Sequence, residues 1–194
     1  MAKALFVIDV QVDFCEGGAL ACDGGSAVAK KITEFIRQHR ADYDYVIASR
    51  DWHTPNSPNA GHFPPEGVEP DYVNHWPLHC IAGSEGADYH PNLDASLIDI
   101  HIKKGQDAHG YSIFEGVSET GEPIQNLLAR LGIESVDVVG IATDYCVRAS
   151  SLDALKNGLQ VRVISSLTAG VAPQSTEAAI DEMVDAGATV VATA

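Results

Sequence analysis

Short apolar runs alternating with amphipathic stretches constrain this chain more than any other feature. Residues 4–10 read ALFVIDV, apolar throughout except for Asp9, which suits a strand covered on both faces. Residues 26–40 then place Val28, Ile32, Phe35 and Ile36 at helical spacing behind a Gly-Gly-Ser start, predicting an amphipathic helix with Ser26 as its N-cap. The alternation recurs, with strands expected at 45–49, 97–102, 135–141, 160–164 and 189–191 and helices at 123–131, 143–157 and 176–186. Parallel neighbours need crossover connections, and the crossing helices must cover both faces of the sheet. The expected fold is therefore α/β, a three-layer α/β/α sandwich around a mainly parallel, doubly wound sheet of about six strands.

A length of 194 residues fits one domain spanning 1–194, and 45% hydrophobic with 20% charged residues excludes disorder. Acidic residues outnumber basic ones by 27 to 12, so a net charge of −15 argues against a nucleic-acid or anionic-membrane partner. No run is long enough to span a bilayer, and the N-terminal MAKALFVIDVQVDF turns acidic too early for a secretory signal, so a cytoplasmic protein is expected. Cys15, Cys22, Cys80 and Cys146 show neither CxxC spacing nor a disulfide rhythm and read as free thiols.

In open α/β sheets ligands gather beyond the carboxyl ends of the strands, so the residues delivered there matter most. They are Asp9, then Asp51 and His53, then Lys103 and Lys104, and finally the segment GIATDYC at 140–146. Cys146 opens a helix, where free backbone N–H groups and the macrodipole favour an anion, so its thiol pKa is expected to fall below about 8.5. The Ala142 and Cys146 amides are the candidate oxyanion donors. Taken singly, a free cysteine is more often a packing residue, Asp9 a strand cap and Lys104 a surface cation. Their convergence favours a triad of nucleophile, proton shuttle and stabilising cation.

The irregular stretch 51–92 carries a second constellation. Asp51 and His53 alternate on an extended segment and point the same way, and with His62 and His79 they make a set suited to one divalent ion: zinc, iron or manganese. His75 and His90 compete for the same role, while His39, His101 and His109 read as ordinary histidines. Phe14, Trp76 and Tyr111 could wall a slot for a flat ring, although core packing is the default for each.

Together IDVQVDFCEGG at 8–18, RDWH at 50–53, HWPLHC at 75–80, KGQDAHGYSIFEG at 104–116, VVGIATDYCVR at 138–148 and LTAGVAP at 167–173 resemble the nicotinamidases, the pyrazinamidase-type members of the isochorismatase-like cysteine hydrolases. The resemblance implies Asp9 as general base and acid, Lys104 as its partner and Cys146 as nucleophile. It places Asp51, His53 and His79 on the metal ligands. His62 falls where some relatives carry a further ligand, after a longer interval. A cis peptide between Ile141 and Ala142 is implied, and Phe14 and Trp76 match the ring-clamping aromatics. The implied activity converts nicotinamide to nicotinate and ammonia, and pyrazinamide to pyrazinoate, through a Cys146 thioester in NAD salvage. Homo-oligomerisation is left open. The alternatives are an amidohydrolase of the superfamily acting on a carbamoyl or ureido substrate, and a non-catalytic binding module on the same scaffold.

Overall fold

The computed structural model describes residues 2–193. At its centre is β1, Ala2–Ile8, fully buried from Ala4 onward. Leu5 and Val7 face one hydrophobic cluster while Ala4, Phe6 and Ile8 face another, as period-two side chains on a doubly covered strand must. The first cluster is closed by Val28, Ile32 and Ile36 of α1, Gly25–His39. The opposite one is closed by Leu127 and Leu128 of α2, Ile124–Leu131, by Ala154 of α3, Arg148–Lys156, and by Met183 of α4, Pro173–Asp185. The three expected layers are present.

The sheet has seven strands in the order β4-β3-β2-β1-β5-β6-β7. β2 is Tyr45–Asp51, β3 Ile100–Lys104, β4 Val117–Ser118, β5 Ile133–Ile141, β6 Gln160–Ala169 and β7 Thr189–Val191. All pairings are parallel except that of the short edge strand β4 with β3. Strand order runs outward from β1 towards β3 and then restarts on the other side at β5. The topological switch point therefore lies between β1 and β5, where a crevice opens at the strands' carboxyl ends.

Several expected boundaries move. The third strand lies at Ile100–Lys104 rather than 97–102, because Asp94 accepts the Ser96 N–H and folds residues 95–97 into a helical turn. Lys103 and Lys104 thus sit within the strand on opposite faces: Lys104 is buried, while Lys103 lies 4.0 Å from the centre of the Trp52 ring on the other side. Ser26 is not the N-cap of α1. Gly24 holds that position, and the Glu16 carboxylate accepts the Gly24 and Ser26 N–H groups at 2.7 and 2.8 Å. The helix expected at 143–157 divides into a π-helical turn, Thr143–Val147, followed by α3. β6 runs on to Ala169, and α4 begins at Pro173, a residue suited to a first helical turn. Among the described residues no helix is long and apolar enough to cross a membrane.

Gly140 fixes how β5 approaches β1. Its φ is +124°, and a Cβ there would lie 2.1 Å from the Ile8 carbonyl oxygen, so only glycine lets the strands meet at the switch point.

Lower in the same strand, buried Asp137 accepts hydrogen bonds from Tyr43 Oη at 2.5 Å and from Arg162, and pairs with Lys3 at 2.9 Å. Burial pushes this carboxyl up, but the donors from Arg162, Tyr43 and Lys3 outweigh it and hold the pKa below its ordinary 3.8. Because the folded pKa is the lower one, the stabilisation is complete at neutral pH and is lost as pH falls below about 4 through the folded pKa. Asp137→Asn should lower stability by about 2–3 kcal/mol at pH 7 in urea unfolding, with a smaller difference at pH 3. An equal loss at both pH values would contradict the linkage.

Candidate active site

The carboxyl ends of β1, β2, β3 and β5 bring one buried cluster together. Asp9 leaves β1 with φ +46°, is fully buried, and accepts the Ser49 hydroxyl on Oδ1 at 2.7 Å. Lys104, the last residue of β3, is also fully buried. Its ammonium lies 2.7 Å from Asp9 Oδ2 and 3.8 Å from Cys146 Sγ, and donates to Asp51 Oδ1 and to the Gly110 carbonyl. Three protons thus face four acceptors. Asp9 Oδ2 is the one held by charge rather than by an aligned hydrogen bond.

The charges follow from this packing. Burial disfavours the Lys104 ammonium, yet Asp51, Asp9 and Cys146 outweigh it and the lysine stays charged. Burial pushes Asp9 up to about 6 against the pull of Lys104, with Asp51 adding to the rise. The expectation of a depressed Cys146 pKa is overturned. Burial pushes the thiol well above its ordinary 9.0, Lys104 opposes this, and Asp9 and Asp51 push further upward. Cys146 Sγ and one oxygen from each carboxylate all lie within 4.8 Å of one another. Cys146 is a thiol beside a carboxylate of raised basicity. Cys146 belongs to the π-helical turn, which closes as the Tyr145 and Val147 N–H groups both donate to Ala142 O at 3.1 Å. The Ile141–Ala142 peptide is cis, as the resemblance implied.

Asp51 joins this cluster to a second one. Its Oδ1 meets Lys104, while Oδ2 lies 3.7 Å from His53 Nε2 and 3.8 Å from His79 Nε2. His53, His62 and His79 are all buried, and each brings a ring nitrogen within 4.8 Å of the others. His53 Nδ1 faces the Gly105 carbonyl at 2.9 Å and His79 Nδ1 faces the Pro77 carbonyl at 2.8 Å. A carbonyl only accepts, so both rings carry their proton on Nδ1 and aim an Nε2 lone pair at the common centre. Among the described residues His53 Nε2 finds no hydrogen-bond partner, and His62 Nε2 faces His79 Nε2 at 3.4 Å. Burial lowers His62 to about 3 and His79 to about 4, so both are neutral near pH 7. One carboxylate and three imidazole nitrogens converging in a buried place fit a divalent metal ion.

Of the competing histidines, His75 lies near Asp71 at 3.9 Å and His90 meets Ser26 Oγ at 3.2 Å, both away from this centre. His39 pairs with Asp42 and His101 with Tyr89. His109, expected to be ordinary, instead touches His62. Three positions were not anticipated. Gln11 is fully buried and binds the Asp51 backbone at both N–H and C=O, and its one signal is a polar side chain inside the apolar IDVQV run. Gly105 sits where a Cβ would lie 2.7 Å from the His53 ring. Tyr145 lies 5.2 Å from Trp76, edge to face.

Both clusters open into a cavity of about 260 Å³ lined by Phe14, Trp76, Tyr111, Tyr145, Ala142 and Cys146, with Asp51, His62 and His79 at its side. Drug-sized ligands occupy roughly 300–1,000 Å³, so this space suits a smaller molecule. Trp76 Nε1 donates to Tyr111 Oη at 2.8 Å, which fixes the indole as a wall.

Lys104→Met removes the cation 3.8 Å from Cys146 while keeping much of the stem. The thiol pKa should rise further, and Cys146 alkylation by iodoacetamide at neutral pH should slow by about tenfold. An unchanged pH–rate profile in the folded variant would show that Lys104 does not act on the sulfur.

An isochorismatase domain matches residues 3–194. The nicotinamidase/pyrazinamidase of Mycobacterium tuberculosis is 48% identical over 181 residues, covering 93% of this chain and 94% of that protein. The crystal structure of the Pyrococcus horikoshii pyrazinamidase in complex with zinc superposes with a TM-score of 0.82 at 34% identity, covering 98% of this chain and 99% of that one. The L. infantum PnC1 structure in complex with nicotinate gives 0.81 at 33% identity, covering 98% and 92%. The motifs, the sheet order and these likenesses agree, and the chain belongs to the isochorismatase family.

Proposed function

We infer that this protein is a nicotinamidase, a single-domain amidohydrolase that converts nicotinamide to nicotinate and ammonia. The observation that carries the reading is the buried Asp9, Lys104 and Cys146 cluster at the wall of a small aromatic cavity flanked by converging imidazoles. The likeness to nicotinamidases and pyrazinamidases over nearly the whole chain supports it. Turnover of pyrazinamide, a place in NAD salvage and a cytoplasmic location belong to the same reading.

The mechanism follows from the protein's own groups. Phe14, Trp76 and Tyr111 hold the substrate ring so that its carboxamide carbon faces Cys146 Sγ. The sulfur attacks, its proton passes to Asp9 Oδ2, and the amides of Ala142 and Cys146 receive the negative charge gathering on the carbonyl oxygen. Asp9 returns the proton to the amide nitrogen, the C–N bond breaks and ammonia leaves. The acyl group remains on Cys146 as a thioester. Asp9, again a carboxylate, deprotonates a water that attacks this thioester, releasing nicotinate and restoring the thiol. Throughout, Lys104 keeps positive charge beside both the carboxylate and the sulfur. Asp51, His53, His62 and His79 would hold the divalent ion, which would supply an electron-pair acceptor at the side of the cavity.

Ammonia release from nicotinamide, measured against a carbamoyl or ureido compound, tests the substrate class. Cys146→Ala should abolish release while the fold persists. Asp9→Asn preserves shape but removes the base, and should cost roughly 10²–10⁴-fold in kcat. Comparable turnover by either folded variant contradicts the assigned roles. His53→Ala and His79→Ala should each lower bound metal and turnover together. Undiminished metal in both would place the ligands elsewhere.

A further inference from the structure

The three imidazoles of the proposed centre are not held alike. His53 and His79 each turn Nδ1 to a backbone carbonyl, which fixes their tautomer. His62 turns Nδ1 instead to another imidazole, the Nδ1 of His109 at 3.4 Å, with the rings 5.5 Å apart and nearly perpendicular. Two arrangements of hydrogen are available to that pair. In one, His62 Nδ1–H donates to His109 and its Nε2 lone pair faces the centre. In the other, His109 donates, and His62 Nε2–H points at His79 Nε2, 3.4 Å away. Only the first leaves His62 able to ligate a cation.

The loop that carries His109 is built to hold it there. Asn59, fully buried, accepts the Asp107 N–H at 3.0 Å on the same oxygen that takes the Thr54 N–H. Ser57 Oγ donates to Asp107 Oδ1 at 2.6 Å and Thr54 Oγ1 to Oδ2 at 3.2 Å. The segment leading to His62 and the loop bearing His109 are thus tied together just outside the centre. On its other side His109 lies parallel to Tyr111, with the rings 6.2 Å apart. His109 itself is exposed, whereas the His62 edge it covers is buried.

We propose that His109 is a positioning residue for the divalent-metal centre. Its Nδ1 accepts the His62 Nδ1–H and so commits His62 to the tautomer that presents Nε2 as a ligand, the task the Gly105 and Pro77 carbonyls perform for the other two rings. The proposal rests on the four-ligand reading above. Loss of an outer hydrogen-bond partner of this kind weakens metal binding by roughly 10–100-fold. Since His109 faces water on one side, the low end of that range applies.

The test is zinc affinity of the metal-stripped protein by competition with a chromophoric chelator, with the unfolding temperature of each metal-free variant as a control. His109→Phe keeps the cover over His62 but offers no acceptor, and should weaken zinc binding about tenfold. His109→Asn offers a carbonyl in place of the ring nitrogen and should stay close to wild type. His109→Ala admits water as a substitute acceptor and should fall between them. A packing role would instead put Phe nearest to wild type and Ala worst, and would overturn the proposal. Wild-type affinity in His109→Phe would also overturn it. If His62→Ala binds zinc weakly while His109→Phe binds normally, the four-ligand reading stands and only the role of His109 fails. If His62→Ala binds normally, His62 leaves the centre and the proposal falls with it. In a His62→Ala background His109→Phe should have no further effect, and an undiminished one would show that His109 acts through another group.

Discussion

A lysine ammonium with no contact with solvent is the constraint on which the rest of the site depends. Lys104 is fully buried among Asp9, Asp51, Gly110 O and Cys146. An isolated charge there would cost several kcal/mol, and two unpaired carboxylates would cost more. The two carboxylates keep the ammonium charged and it favours the ionised form of each, while the carboxylates repel one another, which is part of why Asp9 rises to about 6. The arrangement also divides the labour of Asp51: one oxygen neutralises the lysine and the other faces the imidazoles. The cation beside the Cys146 sulfur and the Asp9 carboxylate therefore also holds the carboxylate that faces the imidazole cluster.

This cluster exists because of where the sheet reverses its order. Asp9 follows β1 and Cys146 follows β5, the neighbouring strands at the switch point, while Asp51 and Lys104 end β2 and β3. Parallel strands deliver all four side chains at the same edge. The close approach at Gly140 sets the depth at which the Cys146 turn meets Asp9. Gln11, bonded to both backbone groups of Asp51, keeps the ends of β1 and β2 in step.

The strands and helices were legible because continuous apolar runs and helical spacing report burial directly, and burial is what the core requires. Boundaries were less so. Asp94 folded part of the expected third strand into a turn, and Glu16, eight residues before Gly24, supplied the acceptors that Ser26 was expected to provide. Both effects come from side chains reaching across the chain, which local periodicity cannot register. In the site, the convergence of Asp9, Lys104 and Cys146 was readable from residue type at strand ends, and that of Asp51, His53, His62 and His79 from the histidines of the irregular 51–92 stretch. His109 was not, because its neighbour lies 47 positions away and meets it only through the loop bonded to Asn59.

The state of Cys146 shows how context reverses a local rule. A cysteine at a helix start is expected to ionise readily, but that argument presumes solvent and the free N–H groups of an α-helical first turn. Cys146 instead sits in a π-helical turn, buried, within 4.8 Å of two carboxylates. Its proton is retained, and the adjacent Asp9 is raised to about 6 by the same burial. Cys22, which also lines the cavity, is pushed up to about 12 by burial and then by Asp144, Cys15, Asp23 and Glu16. Cys146 differs in having Lys104 at 3.8 Å. Moving its proton to Asp9 converts a thiol and a carboxylate into a thiolate and an acid, so no net charge is created in the cavity. The lysine stays close to the negative charge in either arrangement. In the proposed mechanism the acid formed in that step is the one that protonates the departing nitrogen.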